Sequence, residues 1–291
     1  MTATLIDGTA VAAGIRERVA DEVKRLLDAG GRPPGLGVLL VGDDPASAIY
    51  VRMKTAACKQ AGFYSEQVNL DAEATQEQVL AAVRGLNQDP RIHGILVQLP
   101  LPGDLDEDAV VRAIDPARDA DGLHPDNVAR LAMGVPRVLP CTPAGVMELL
   151  RHEHTALRGA EAVVVGRSNL VGRPVARLLT LADATVTVAH SRTADLPAVT
   201  RRAEVLVVAA GHPGLVTGDM VGPGATVIDV GINALPPLRD GGRRRVVGDC
   251  DRESVGAVAG KLSPVPGGVG PMTIAMLLQN TLQAARRATE G

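Results

Sequence analysis

The sequence predicts a two-domain α/β fold built on parallel sheets. Three observations carry this. The chain has 291 residues, enough for about two domains of roughly 100–200 residues each. Continuous Val-rich runs of strand length, such as 36–42, 160–166, 184–190, 203–211 and 225–231, alternate with segments of helical period. Strands apolar on both faces, separated by helices, are the pattern of a parallel sheet covered on both sides. Glycine and proline, 32 and 20 residues, cluster in short stretches between the apolar runs, where they build turns rather than a disordered chain.

Taken in order, residues 10–29 are predicted helical. Ile15, Val19, Val23, Leu26 and Leu27 form one stripe, and Gly30-Gly31 ends it. A strand over 36–42 follows, then a helix over 45–61 with Pro45 in its first turn and Gly62 as its stop. A helix over 76–87, a strand over 93–102 broken by its prolines, a short helix over 107–114 and a loop over 115–125 complete the first unit. The second opens with a helix at Cys141-Thr142-Pro143. It continues with a strand over 160–166, a helix over 173–182, and strands over 184–190, 203–211 and 225–231. The last 20 residues form an amphipathic helix lined by Ile274, Leu277, Leu278, Leu282 and Ala285. The expected domains are 1–140, with the terminal helix 271–291 packed back on it, and 141–270.

Composition narrows the function. The net charge of -3 lacks the basic excess of a general nucleic-acid binder, and Tyr50, Phe63 and Tyr64 are the only aromatics, too few for a base-stacking platform. Cys58, Cys141 and Cys250 are odd in number and widely spaced with no CxxC, so neither a disulfide framework nor a zinc site is expected; they read as small buried hydrophobes. His152 and His154 do not share a helix face, and no metal is expected; His93 and His124 read as structural. Residues 1–19 lack a basic n-region followed by a long apolar stretch, and no run is long enough to span a bilayer. The expected compartment is the cytoplasm, without nucleic acid or membrane as partner.

The strand-turn-helix at 162–182 contains Gly166-Arg167-Ser168-Asn169-Leu170-Val171-Gly172, a G-x-S-x-x-x-G pattern. Five residues between the glycines, then Arg173-Pro174, exclude a P-loop, and Leu170 excludes a serine-hydrolase elbow. A helix N-terminus behind a tight glycine turn suits a phosphate, and the Ser168 hydroxyl can donate to one. The pattern is equally that of an ordinary βα turn. At the end of the next strand stand His190, Ser191, Arg192 and Thr193, with no carboxylate until Asp195. An NAD site expects a carboxylate there for the ribose 2′-hydroxyl. Ser191, Arg192 and Arg167 instead suit a 2′-phosphate, which favours NADP.

In the first unit, Tyr50 and Lys54 lie at i and i+4 on one helix face, shared by Ser47. By spacing alone this is either a snorkelling surface lysine or a proton-transfer pair. Gln98 stands among apolar residues and needs a partner. Asp119 and Asp121 lie in a DADG turn, where carboxylates are commonplace. The loop 264–273 has more glycine and proline than a plain turn requires, and paired glycines permit close backbone approach to a flat ligand.

Together these residues resemble the bifunctional methylenetetrahydrofolate dehydrogenase/methenyltetrahydrofolate cyclohydrolase (FolD-type) family. The matching strings are YVRMK at 50–54, GILVQLPLP at 94–102, DADGLHPDN at 119–127, PCTPAGV at 140–146, GRSNLVGRP at 166–174, VIDVGIN at 227–233 and PVPGGVGPMT at 264–273, in the family's order along nearly the whole chain. Leu123 stands where the family often has Phe. Another NADP-linked dehydrogenase, of amino-acid or shikimate type, would not need Tyr50, Lys54 and Gln98 together with the 264–273 loop. A non-catalytic dinucleotide sensor would tend to lose the lysine.

The resemblance implies an N-terminal α/β catalytic domain and a Rossmann-like NADP-binding domain with a cleft between them, forming a homodimer through the cofactor domains. It implies oxidation of 5,10-methylenetetrahydrofolate with NADP, then hydrolysis of the methenyl product to 10-formyltetrahydrofolate, at one folate site. Lys54 would be the proton-transfer group, Gln98 its hydrogen-bonding partner, Tyr50 a packing surface for the folate ring and Asp121 the pterin anchor. Val97, Leu99, Pro266, Gly267, Gly268, Val269 and Gly270 would line the folate site. Gly166, Arg167, Ser168, Ser191, Arg192 and Ile232 would contact the cofactor.

Overall fold

The computed structural model describes residues 2–236 and 245–290. In chain order the elements are β1 (Thr4–Leu5), α1 (Gly8–Asp28), β2 (Gly35–Val41), α2 (Pro45–Gln60), β3 (Tyr64–Leu70), α3 (Gln76–Gln88), β4 (Gly94–Val97), α4 (Glu107–Ala113), α5 (Pro125–Met133) and α6 (Cys141–His152). There follow β5 (Glu161–Val165), α7 (Gly172–Leu181), β6 (Thr185–Ala189), α8 (Leu196–Thr200), β7 (Val205–Val208), β8 (Thr226–Asp229), β9 (Asn233–Leu235), β10 (Arg245–Val247), α9 (Arg252–Val258), β11 (Lys261–Leu262) and α10 (Val269–Glu290).

The chain divides into two units, one of residues 13–141 with 274 onward, the other of residues up to 12 with 142–273. This differs from a first domain running from residue 1 through 140. The physical reason lies in β1, which pairs in parallel with β11 at Thr4–Lys261 and Leu5–Leu262. Ala3 N donates to Gly256 O at 2.7 Å and Ile6 N to Leu262 O at 3.0 Å, so backbone bonding ties the N-terminal strand to the second sheet. The later boundary falls at 273/274 rather than 270/271.

The unit of 13–141 holds a three-stranded sheet in the order β3-β2-β4, all parallel. Its central strand β2 is buried along its whole length, as the unbroken apolar run predicts. Leu39, Val79, Val83, Leu86, Ile92, Ile95 and Val110 form the core between this sheet and α3 and α4. Two elements lie beyond those expected from the patterning: β3, an edge strand reading YSEQVNL, and α5, which starts at Pro125 with the His124 side chain accepting from Asp126 N at 3.1 Å. The strand expected over 93–102 stops at Val97. Proline at 100 and 102 supplies no N–H to extend the ladder.

The other unit holds a six-stranded parallel sheet in the order β1-β11-β8-β7-β5-β6. Strands β5 and β7 are buried Val-rich runs and β8 is buried throughout, with Val163, Val165, Leu206, Val208 and Val227 in the core. Strand β6 lies at the edge, and half-exposed positions run along it. Strands β9 and β10 pair antiparallel. Among the described residues no helix is long and apolar enough to cross a membrane.

Two glycines give opposite expectations for substitution. Gly166 has φ +122°, and a Cβ there would stand 2.1 Å from Ala209 O. Gly85 lies inside α3 with nothing within 4 Å of an added Cβ. Gly166→Ala is expected to cost about 2–4 kcal/mol in chemical denaturation. Gly85→Ala should stabilise by about 0.5–1 kcal/mol, since the native conformation already suits alanine. A Gly166→Ala protein as stable as the parent would contradict the close approach.

Candidate functional site

Helix α2 positions the lysine. Asp44 caps it, its carboxylate accepting from Ser47 N at 2.7 Å, and Pro45 begins the first turn. Tyr50 and Lys54 follow one turn apart. Tyr50 is 40% exposed, whereas Lys54 is only 8% exposed. The spacing that left Lys54 open between a surface and a buried role therefore resolves to burial. Its Nζ donates to Gln98 Oε1 at 3.0 Å.

Gln98 directly follows β4, and its N–H still donates to Leu39 O at 2.9 Å. Its Nε2 donates to Leu99 O at 2.8 Å, which turns the amide so that Oε1 faces the lysine. Val97 is buried in the core and Leu99 packs partly buried against it. The partner that Gln98 required is thus Lys54.

Asp121 is half-buried, and its neighbour Asp119 is held firmly. Asp119 accepts from Gly122 N at 3.0 Å, His124 N at 2.8 Å and Asn127 Nδ2 at 2.9 Å, so it shapes the turn. Burial holds the Lys54 ammonium below the usual lysine range, opposed by the Asp121 carboxylate and then Cys141. Burial likewise pushes the Asp121 carboxyl up, opposed by Lys54 and by a hydrogen bond from the Cys141 thiol. The Cys141 thiol is driven well up by burial and by Asp121. Read from sequence as a small buried hydrophobe, Cys141 is buried but also polar in its surroundings.

A residue the sequence reading passed over supports this loop. Asn280 of α10 is buried, and its Nδ2 donates to Ala120 O at 3.0 Å and Leu139 O at 2.9 Å. It lies 3.6 Å from Cys141 Sγ. The signal was an asparagine on the apolar stripe of a helix, which must find partners when buried. His93 is structural: its Nδ1 accepts from Gly35 N at 3.0 Å.

In the other unit, Gly166 leaves β5 and Gly172 opens α7, and an added Cβ on Gly172 would lie 2.2 Å from Gly166 O. The Ser168 Oγ accepts from Val171 N at 3.2 Å and Gly172 N at 3.4 Å, which leaves its hydroxyl proton to donate elsewhere. Arg167, Ser168, Ser191 and Arg192 are exposed. The first carboxylate after β6, Asp195, accepts from Ala198 N at 3.0 Å and so caps α8. This set of exposed guanidinium and hydroxyl groups, with the carboxylate engaged elsewhere, fits a dinucleotide bearing a 2′-phosphate.

The loop 264–270 makes its close approach first to the protein's own backbone. A Cβ on Gly8 would stand 1.9 Å from Gly268 O, and Thr9 N donates to Gly267 O at 3.1 Å. Pro266 is exposed, Gly268 and Val269 are buried, and Gly267 and Gly270 are half-buried. Ile232, 52% exposed, brings its Cδ1 to 3.8 Å from where a Gly270 Cβ would stand.

Fold and site define an α/β chain with a dinucleotide-type parallel-sheet unit and, in a separate unit, a buried lysine-glutamine pair beside a carboxylate. The comparisons agree. The family model for the tetrahydrofolate dehydrogenase/cyclohydrolase catalytic domain matches residues 6–121, and that for its NAD(P)-binding domain matches 140–289. The chain belongs to the tetrahydrofolate dehydrogenase/cyclohydrolase family. It is 59% identical over 285 residues to the bifunctional protein FolD of Acidiphilium cryptum, covering 98% of this chain and 99% of that relative. The FolD crystal structure from Campylobacter jejuni is 46% identical, with a TM-score of 0.93 and coverage of 98% and 99%. The Trypanosoma brucei FolD structure, complexed with NADP cofactor and inhibitor, is 42% identical, with a TM-score of 0.95 and full coverage of both chains.

If the Asp121 carboxylate supports the Lys54 charge, Asp121→Asn lowers the Lys54 pKa further. Titration of the Lys54 ¹³Cε resonance in lysine-labelled protein is the measurement. A pKa that rises or stays fixed would show that the two groups do not interact.

Proposed function

We infer that the chain is a bifunctional enzyme of one-carbon metabolism. It oxidises 5,10-methylenetetrahydrofolate to the methenyl compound with NADP, and hydrolyses that product to 10-formyltetrahydrofolate. The observation that carries this reading is the buried Lys54–Gln98 pair beside Asp121, in a chain related throughout its length to FolD proteins. NADP, when bound, accepts the hydride.

The chain's own residues divide the remaining work. Hydride transfer needs two carbons aligned and no acid or base. Gly166 and Gly172 let the backbone fold tightly into the turn that faces the dinucleotide, Ser168 offers a hydroxyl, and Arg167, Ser191 and Arg192 receive the 2′-phosphate. Ile232 packs on the cofactor. Hydration of the methenyl cation needs a proton moved from water, and Lys54 is the group for it. Its lowered pKa makes the neutral amine available closer to neutral pH, and Gln98 holds Nζ in place. Tyr50 offers a face to the folate ring, and Asp121 anchors the pterin. Val97 and Leu99, on either side of Gln98, line the folate site. The unit of 13–141 with α10 thus serves as the catalytic domain and the six-stranded unit as the NADP domain.

A homodimer through the NADP domain follows from the same reading. The edge strand β6 supports it, with Val188 40% exposed on an otherwise apolar sheet. The cytoplasm is the matching compartment.

Three measurements test this reading. Lys54→Met is expected to abolish methenyl hydrolysis, by at least about a hundredfold in kcat, while hydride transfer persists. Cyclohydrolase turnover at the parent rate would remove Lys54 from the mechanism. For Arg192→Ala, the KM for NADP should rise selectively, with that for NAD unchanged; equal values for parent and variant would take Arg192 out of the site. Sedimentation velocity should report a dimer.

A further inference from the structure

Two carboxylates sit buried in the six-stranded unit, and neither is accounted for by the roles above. Asp229 ends β8 at 4% exposure, and Asp249 follows β10 at 0%. Neither forms a salt bridge among the described residues; both are met by N–H groups. Asp229 accepts from Gly231 N, Asp249 N and Cys250 N, each at 2.9 Å. Asp249 Oδ2 accepts from Ala210 N at 2.7 Å and Gly211 N at 2.8 Å, and its Oδ1 from Asn233 Nδ2 at 2.8 Å.

The glycines beside them are shaped for these groups. A Cβ on Gly231 would lie 2.3 Å from Asp249 Oδ1, and a Cβ on Gly248 would lie 1.9 Å from Asp229 Oδ2. The backbone at both positions is therefore cut back to admit a carboxylate.

The location gives the arrangement its meaning. Ala210-Gly211 follows β7, and Gly231–Asn233, which includes Ile232, follows β8. Both are at the carboxyl ends of adjacent parallel strands, where ligands bind in open α/β sheets. Gly166, at the carboxyl end of β5, packs against Ala209 O, the residue just before the Asp249-bound N–H groups. The loops after β7 and β8 thus converge on one buried side chain, and the turn at Gly166 packs against the first of them.

We propose that Asp249 is a positioning residue for the dinucleotide, its carboxylate holding the loop after β7 to the loop that carries Ile232, with Asp229 as the strut that fixes Asp249 in turn. A carboxylate suits the site because donors converge on both of its oxygens. An amide at 249 would turn an N–H₂ group toward one set of donors and leave buried N–H groups unpaired.

This inference rests on the NADP-dependent reading of the site, and the parent protein tests that reading first. Failure of the parent to reduce NADP with methylenetetrahydrofolate would sink the reading itself. Given that activity, Asp249→Asn should raise the KM for NADP and the NADPH dissociation constant by roughly tenfold or more. Hydrolysis of added methenyltetrahydrofolate needs no hydride acceptor, and its kcat should stay within about twofold. Asn233→Ala removes one donor and should shift the same constants in the same direction by a smaller factor, so it carries the test if Asp249→Asn does not fold. Unchanged NADP affinity in the folded variants would overturn the proposal. So would a proportional fall in both activities, which is the mark of a side chain that serves stability alone.

Discussion

An ammonium group taken out of water must be answered by oxygen atoms, and that requirement organises the unit of 13–141. Lys54 is buried on α2, so the opposing sheet must end in a residue that can accept from it. Gln98 does so one position beyond β4, where the strand has stopped and the side chain is free to turn. Leu99 O then holds the other end of the amide, and the Asp121 carboxylate supplies charge from the turn beyond. Desolvation outweighs that charge, so the lysine is held nearer to losing its proton than an exposed one. A salt bridge alone would lock it as a cation; burial without oxygen partners would cost far more than the fold can sustain.

The second unit solves a different problem, bringing backbone close to backbone. Gly166 against Ala209, Gly172 against Gly166, and Gly8 against Gly268 leave no room for a Cβ. Side chains are removed where strands hand over to helices, so the chain can turn within a few residues and leave its N–H groups near a surface. Ser168 closes the helix start with its own oxygen. Arg167 and Arg192, on separate turns, keep their charges in solvent.

Much of this was legible in the residues. Unbroken Val-rich runs gave away the parallel strands because burial on both faces leaves no polar position to alternate. Helix α2 was readable from Pro45 and Gly62. The tetrahydrofolate-family strings pointed to Lys54, Gln98 and Asp121. What stayed hidden was hidden for physical reasons. Strand β3 is an edge strand with one face in water, and its Ser, Glu, Gln and Asn resemble a loop. Residues up to 12 join a sheet more than 200 positions away through backbone bonds that leave no side-chain pattern. Lys54 burial could not be read from an i, i+4 spacing, since the same spacing serves a surface pair. The Asp249 interactions depend on loops from separate places in the chain, and nothing in the local sequence around Gly248-Asp249-Cys250-Asp251 marks them.

The Asn280 side chain spans long stretches of chain, reaching Ala120 and Leu139 from 160 and 141 positions away. Ribosomes make the polypeptide from its N-terminal end, so the turn bearing Asp121 is synthesised well before the helix that clamps it. During that interval the Ala120 carbonyl of the turn and the Leu139 carbonyl before Cys141 each lack the hydrogen bond from Asn280. Completion of the buried lysine's surroundings is therefore a late event in biogenesis, deferred until α10 has emerged.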